Sequence, residues 1–266
     1  MHARYQTLGD GLAGFLLHGG PGLDSSYFRP YLEPLADHLQ LYFVDLRGSG
    51  RALRLPPSEY TIEGMVADLE ELRKKENHEK IILLGHSFGG FLSLEYTLRF
   101  PRHVAGLILV STAADTSFVD EFQKNIDRMP AVAKAQRDFL VSKRTDADFK
   151  ELMRRSLPVY FHDPVAANAD AILERMHCGA DVYAELKKNY LPYYSVEKKL
   201  KEIKVPTLVI AGENDLVVPP RFSKQLADGI VGSTFVTIPN SGHFPFVEGK
   251  KKFCQFVRKW LEGVPR

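Results

Sequence analysis

Ten residues, Ile81-Ile82-Leu83-Leu84-Gly85-His86-Ser87-Phe88-Gly89-Gly90, constrain the fold more than any other part of the chain. The four apolar residues predict a buried strand. Gly-His-Ser-Phe-Gly predicts a sharp turn, and Phe91-Leu92-Ser93-Leu94-Glu95-Tyr96 continues with helical spacing. A serine held between a strand and a helix has its hydroxyl pushed out at the carboxyl end of a sheet, where α/β folds bind ligands. Gly85 and Gly89 lack the Cβ atoms that would crowd so tight a turn. A helix starting near Phe88 also favours negative charge developing beside it. Ser87 is therefore a candidate nucleophile.

The flanking sequence repeats the strand-then-helix pattern. Strands are predicted over 3–8, 13–17, 41–44, 81–84, 104–110, 205–211 and 234–238. A helix is predicted from the caps Asp24 and Ser25, carrying Tyr27, Tyr31, Leu32, Leu35 and Leu39. Others are expected from Thr61 through Leu72, over 88–99, from Pro220 to Asp228, and over 247–262. Strands that are apolar on both faces, alternating with helices, imply a mostly parallel sheet covered on both sides. The pattern breaks over 113–199, which is helical in periodicity and rich in aromatic residues. It is too long for a structureless loop. The chain thus divides into a core domain, 1–112 with 200–266, and a helical cap, 113–199.

Composition narrows the function classes. With 266 residues and 44% hydrophobic content, a large core can be buried. With a net charge of +2, nothing argues for nucleic-acid or membrane-surface binding, and neither partner is expected. The two cysteines, Cys178 and Cys254, have no metal-ligand spacing and read as buried apolar residues. Met1 to Gln6 has no apolar signal core and no window reaches a membrane span, so a cytoplasmic setting is expected. No metal or other cofactor is expected, and the expected partner is a small-molecule or short-peptide substrate.

A serine hydroxyl is a weak nucleophile and needs a base, which in turn needs an orienting acid. Ser87, Asp215 and His243 occur in that order, each just past a predicted strand. In a parallel sheet those strand ends share one edge. Ser87 would attack, His243 would carry the proton, and Asp215 would hold the imidazole. The oxyanion needs preorganised donors. Phe88 N–H follows the nucleophile, and Gly20 N–H lies in His18-Gly19-Gly20-Pro21-Gly22.

These motifs together resemble the α/β-hydrolase superfamily over nearly the whole chain. The implied architecture is a mostly parallel sheet of seven or eight strands with a helical cap. His-Gly-Gly-Pro-Gly, with Asp45-Leu46-Arg47-Gly48-Ser49-Gly50-Arg51 after the next strand, resembles the prolyl aminopeptidase (proline iminopeptidase) branch. That resemblance implies cofactor-free release of an N-terminal residue through an acyl-enzyme. Leu216 stands where some members of that branch carry an acid for the substrate amine. A carboxylesterase or lactonase acting on a small acyl substrate is the alternative, and a non-catalytic ligand receptor is the reading from another class.

Gly19, Tyr160 and Tyr183 are the candidates for substrate contact. Glu174, Asp181 and Glu185 could hold an amine, although a solvated helix face is the plainer reading of each. His86 is expected to shape the site and His18 to hydrogen-bond loop backbone. Asp45 and Arg47 are expected to form a structural ion pair.

Overall fold

The computed structural model describes residues 1–265. Seven strands form one sheet: β1 (Arg4–Leu8), β2 (Leu12–Leu17), β3 (Leu39–Asp45), β4 (Ile81–His86), β5 (Val104–Val110), β6 (Thr207–Gly212) and β7 (Thr234–Ile238). Their spatial order is β1-β3-β2-β4-β5-β6-β7. The edge strand β1 runs antiparallel to β3, and all other pairings are parallel. β4 and β5 are buried throughout, as a parallel strand covered on both faces requires.

The helices are α1 (Ile62–Lys75), α2 (Phe88–Arg99), α3 (Val119–Asp127), α4 (Pro130–Val141), α5 (Asp146–Tyr160), α6 (Ala169–Arg175), α7 (Ala180–Asn189), α8 (Pro220–Gly229), α9 (Pro245–Glu248) and α10 (Lys250–Leu261). Successive residues of β4 serve opposite faces. Ile81 and Leu83 join a core with Met65, Leu69 and Leu92 of α1 and α2. Ile82 and Leu84 join a second core with Phe253 and Val257 of α10. The period of two that defines a strand therefore places a separate core on each face of the sheet. Helices α3 to α7 all fall between β5 and β6, within the segment the sequence assigns to a cap. No helix among the described residues is long and apolar enough to cross a membrane.

Three expectations need correction. The helix expected after Asp24 is instead two 3-10 turns, Ser25–Phe28 and Glu33–Asp37, and Leu39 opens β3. Pro30 and Pro34 lack the N–H groups a continuous helix would need. Asp24 does cap the first turn, accepting from Ser26 N–H at 3.1 Å. The helix expected over 247–262 is divided at Gly249 into α9 and α10. Asp45 and Arg47 are not paired with one another. Arg47 Nε donates to Asp68 at 2.8 Å, whereas Asp45 accepts from Arg51 Nε at 3.0 Å and from Ser25 Oγ at 2.6 Å. The turn through Gly48 and Gly50 brings Arg51 back onto Asp45, while Arg47 reaches α1 instead.

Candidate active site

Ser87 connects β4 directly to α2 with φ 54° and ψ −119°, a conformation that a side chain rarely adopts. The surroundings over-determine it. Ser87 N–H donates to the Val110 carbonyl at 2.9 Å, and the Ser87 carbonyl accepts from Gly90 N–H at 2.8 Å. Thr112 Oγ1 donates to that same carbonyl at 2.9 Å. Gly89 has to be glycine, because a Cβ there would enter the Leu17 carbonyl. The strain at Ser87 is thus held by β2, β5 and α2 together.

Asp215 follows β6 and His243 follows β7, so both reach the edge where β4 delivers Ser87. His243 Nδ1 lies 2.8 Å from Asp215 Oδ2, and both residues are buried. The other oxygen of Asp215 accepts from Val217 N–H at 2.8 Å and Val218 N–H at 2.9 Å. Those amides leave Oδ2 aimed at the imidazole. His243 N–H donates to the Tyr160 carbonyl at 2.8 Å, which ties the histidine loop to the end of α5. No hydrogen bond joins the Ser87 hydroxyl to the imidazole among the described residues. Such contacts commonly tighten only when substrate is bound.

Two further histidines organise the loop after β2, and their tautomers follow from their partners. His18 Nε2 accepts from Leu46 N–H at 3.2 Å, so Nδ1 carries the proton and donates to the Gly19 carbonyl at 3.0 Å. His86 Nε2 faces the His243 carbonyl at 2.8 Å and must donate, so its Nδ1 accepts from Tyr27 Oη at 2.7 Å. Tyr27 Oη in turn accepts from Gly19 N–H at 2.5 Å. Burial lowers the pKa of both imidazoles, His86 the further, which keeps them neutral as these bonds require. Both polar groups of Gly19 are therefore occupied. With its carbonyl held by His18, the Gly20 N–H across the same trans peptide points the opposite way. A Cβ on Gly19 would lie 3.0 Å from the Ser87 Cβ, so the loop runs directly against the serine.

A cavity of about 380 Å³ opens above these residues. Ser87, His243, Gly20 and Phe88 line it, as do Tyr160 and Tyr183 from the helical segment. Gly19, an expected substrate contact, does not line it. Glu174, Asp181 and Glu185 do not line it either. Glu174 pairs with Arg154 at 2.6 Å, Asp181 with Arg54 at 2.6 Å, and Glu185 accepts from Asn189 at 2.6 Å. No Asp or Glu among the described residues lines the cavity, and Lys187 is its one charged lining residue. The wall is otherwise mostly apolar and aromatic. Tyr183 stacks on Phe149 with ring centroids 4.5 Å apart. Both cysteines are buried and free, and burial pushes the Cys178 thiol up to about 12. No cluster of three or more His, Cys, Asp or Glu is grouped as metal ligands would be, among the described residues.

Sequence reasoning assigned Tyr27 to a helical core face and did not single out Lys187. Neither carries a sequence signal, because Tyr27 matters through one oxygen and Lys187 through the wall it joins.

A hydroxyl, an imidazole and a carboxylate gathered at the carboxyl ends of parallel strands define a class of hydrolytic enzyme. The chain belongs to the α/β-hydrolase fold family, whose sequence profile matches residues 15–250. Within that family it is 33% identical over 264 residues to a proline iminopeptidase of Lactobacillus crispatus (strain ST1), covering 93% of this chain and 89% of the relative. It is 28% identical over 268 residues to a proline iminopeptidase of Saccharolobus solfataricus, covering 93% and 84%. Among solved structures, a thermophilic esterase from Thermogutta terrifontis superposes with a TM-score of 0.79 at 28% identity, covering 98% of this chain and 93% of that one.

Proposed function

We propose that this hydrolase cleaves a small carboxylic ester or lactone through an acyl-enzyme on Ser87. The observation that carries this reading is the cavity wall, which holds no carboxylate among the described residues. A free substrate amine would be desolvated there with no counter-charge, at a cost of several kcal/mol. An uncharged ester incurs no such penalty.

The chemistry runs as follows. Ser87 Oγ attacks the carbonyl carbon while His243 Nε2 takes the hydroxyl proton. Asp215 stabilises the imidazolium and keeps Nδ1 as the donor. The oxyanion is received by Gly20 N–H and Phe88 N–H, where the start of α2 adds its dipole. Collapse breaks the ester C–O bond, and His243 returns its proton to the leaving alkoxide. Water then loses a proton to His243 and attacks the acyl carbon; the Ser87 Oγ–acyl bond breaks, His243 returns the proton to Ser87 Oγ, and the acid leaves. Two unpaired buried cysteines fit a reducing, cytoplasmic setting for this enzyme.

The second reading is an aminopeptidase acting on N-terminal proline, and the names of the curated relatives favour it. Parallel assays with a short-chain p-nitrophenyl ester and a proline arylamide separate the two. The ester should show the higher kcat/KM, and Ser87→Ala should reduce its turnover by at least about 1000-fold without unfolding the protein. A higher kcat/KM for the arylamide would reject the ester reading. Ester turnover by Ser87→Ala within tenfold of wild type would reject the nucleophile.

A further inference from the structure

We propose that Lys187 forms a subsite for a carboxylate, so that the preferred substrate is an ester bearing a second, ionised acid group at its far end. This deepens the ester reading above and rests on it.

Lys187 lies on α7 and is exposed, yet it lines the same cavity as Ser87 and His243. Its ammonium donates to Tyr183 Oη at 3.0 Å, and it has no carboxylate within ion-pair distance among the described residues. Lys150 and Arg154 share Glu174, and Arg54 is held between Asp146 and Asp181. Among the described residues Lys187 is the one Lys or Arg lining the cavity, and no acid lines it to offset that charge. The Tyr183 ring is fixed by its stacking on Phe149, so the hydroxyl that accepts from Lys187 is itself positioned. An ammonium and a phenol on an apolar wall match a carboxylate. The ammonium neutralises it, and Tyr183 O–H can donate to it once the lysine turns to the ligand. The same wall repels a cationic amine, which a site for free N-termini would not do.

The substrate is therefore amphiphilic in a defined order. Its scissile carbonyl sits at Ser87, its apolar body lies along the aromatic wall, and its charged end reaches the rim. A half-ester of a straight-chain dicarboxylic acid has this pattern. The reaction class that supplies it is mono-esterification of a diacid or hydrolysis of a diester.

The test compares p-nitrophenyl half-esters of succinic, adipic and suberic acids with neutral p-nitrophenyl alkanoates of matched length. For the best-fitting half-ester, wild type should show the lower KM of the matched pair. Lys187→Met should lower the half-ester to alkanoate ratio of kcat/KM by about fivefold, the size expected for one exposed charge contact. Most of that loss should appear in KM. Lys187→Arg should keep the ratio within about twofold of wild type, and added salt should erode the wild-type preference. A ratio unmoved by Lys187→Met at every chain length overturns the subsite while leaving the ester reading intact. Wild-type turnover of neither ester series overturns the ester reading and the subsite with it.

Discussion

Replacing Tyr27 by Phe removes one oxygen from the centre of the site and leaves the ring in place. The ring packs against Phe28, Phe244 and Phe246 at centroid distances of 4.5, 5.4 and 5.9 Å, and Phe can keep those contacts. The lost oxygen makes two bonds, accepting from Gly19 N–H at 2.5 Å and donating to His86 Nδ1 at 2.7 Å. Both partners are buried, so the substitution orphans a donor and an acceptor together. Each orphaned buried group costs about 1–3 kcal/mol. With partial relaxation the total should be roughly 2–4 kcal/mol. For a chain of this size that lowers Tm by roughly 4–8 °C. The effect on catalysis follows from what the oxygen connects. Through Gly19 it steadies the peptide that carries Gly20 N–H, and through His86 it steadies the His243 backbone. Turnover of the p-nitrophenyl ester should fall about tenfold in kcat with little change in KM, since the ground-state cavity is unaltered and the transition-state donors are loosened. Thermal unfolding and steady-state kinetics on the same preparation test both parts. A Tyr27→Phe protein with Tm within 1 °C and kcat within twofold of wild type would refute the proton assignments along Gly19, Tyr27 and His86.

Two other outcomes follow from the hydrogen-bond network. In Asp215→Asn the amides of Val217 and Val218 should keep the amide oxygen, which turns the NH2 group toward His243 Nδ1 and forces the proton onto Nε2. His243 then cannot accept from Ser87, and kcat should fall on the order of 10,000-fold with the fold retained, as monitored by circular dichroism. Glu70 supplies a pH signature. Burial opposes its ionisation, but a bidentate Arg73 at 2.6 and 2.8 Å and Tyr96 O–H at 2.7 Å outweigh it, holding the carboxyl at about 2 against an ordinary 4.5. A depressed folded pKa contributes stability above about pH 4.5 that is lost as pH falls toward 2. Glu70→Gln should therefore lower stability at pH 7 by roughly 2 kcal/mol, with the gap from wild type closing between pH 4.5 and 2. A gap independent of pH in denaturant titrations would contradict the assignment.

Much of this molecule is legible in one dimension because its signals are local. Apolar runs such as Leu107-Ile108-Leu109-Val110 can only be buried on both faces, which specifies a covered parallel sheet. The turn at Ser87 announces itself through glycines whose Cβ atoms would clash, and Asp215 and His243 are found because each directly follows a strand. The misread helix after Asp24 shows the limit. Tyr27, Leu32 and Leu35 have helical spacing, but Pro30 and Pro34 break the backbone between them, and burial against the sheet replaces helical continuity.

What the sequence determined by itself was the sheet, the placement of Ser87, Asp215 and His243 just past its strands, and the loop that faces them. Only the tertiary structure decided which atoms of that loop are free. It also decided what lines the cavity above Ser87. The tautomers of His18 and His86 depend on carbonyls and amides that folding brings from distant segments. The charge of the cavity depends on which helix face turns inward, and α7 presents Lys187 there while Asp181 is drawn off to Arg54. Such choices are set by packing between elements far apart in the chain, and amphipathic helices with acids and bases on several faces do not encode them locally.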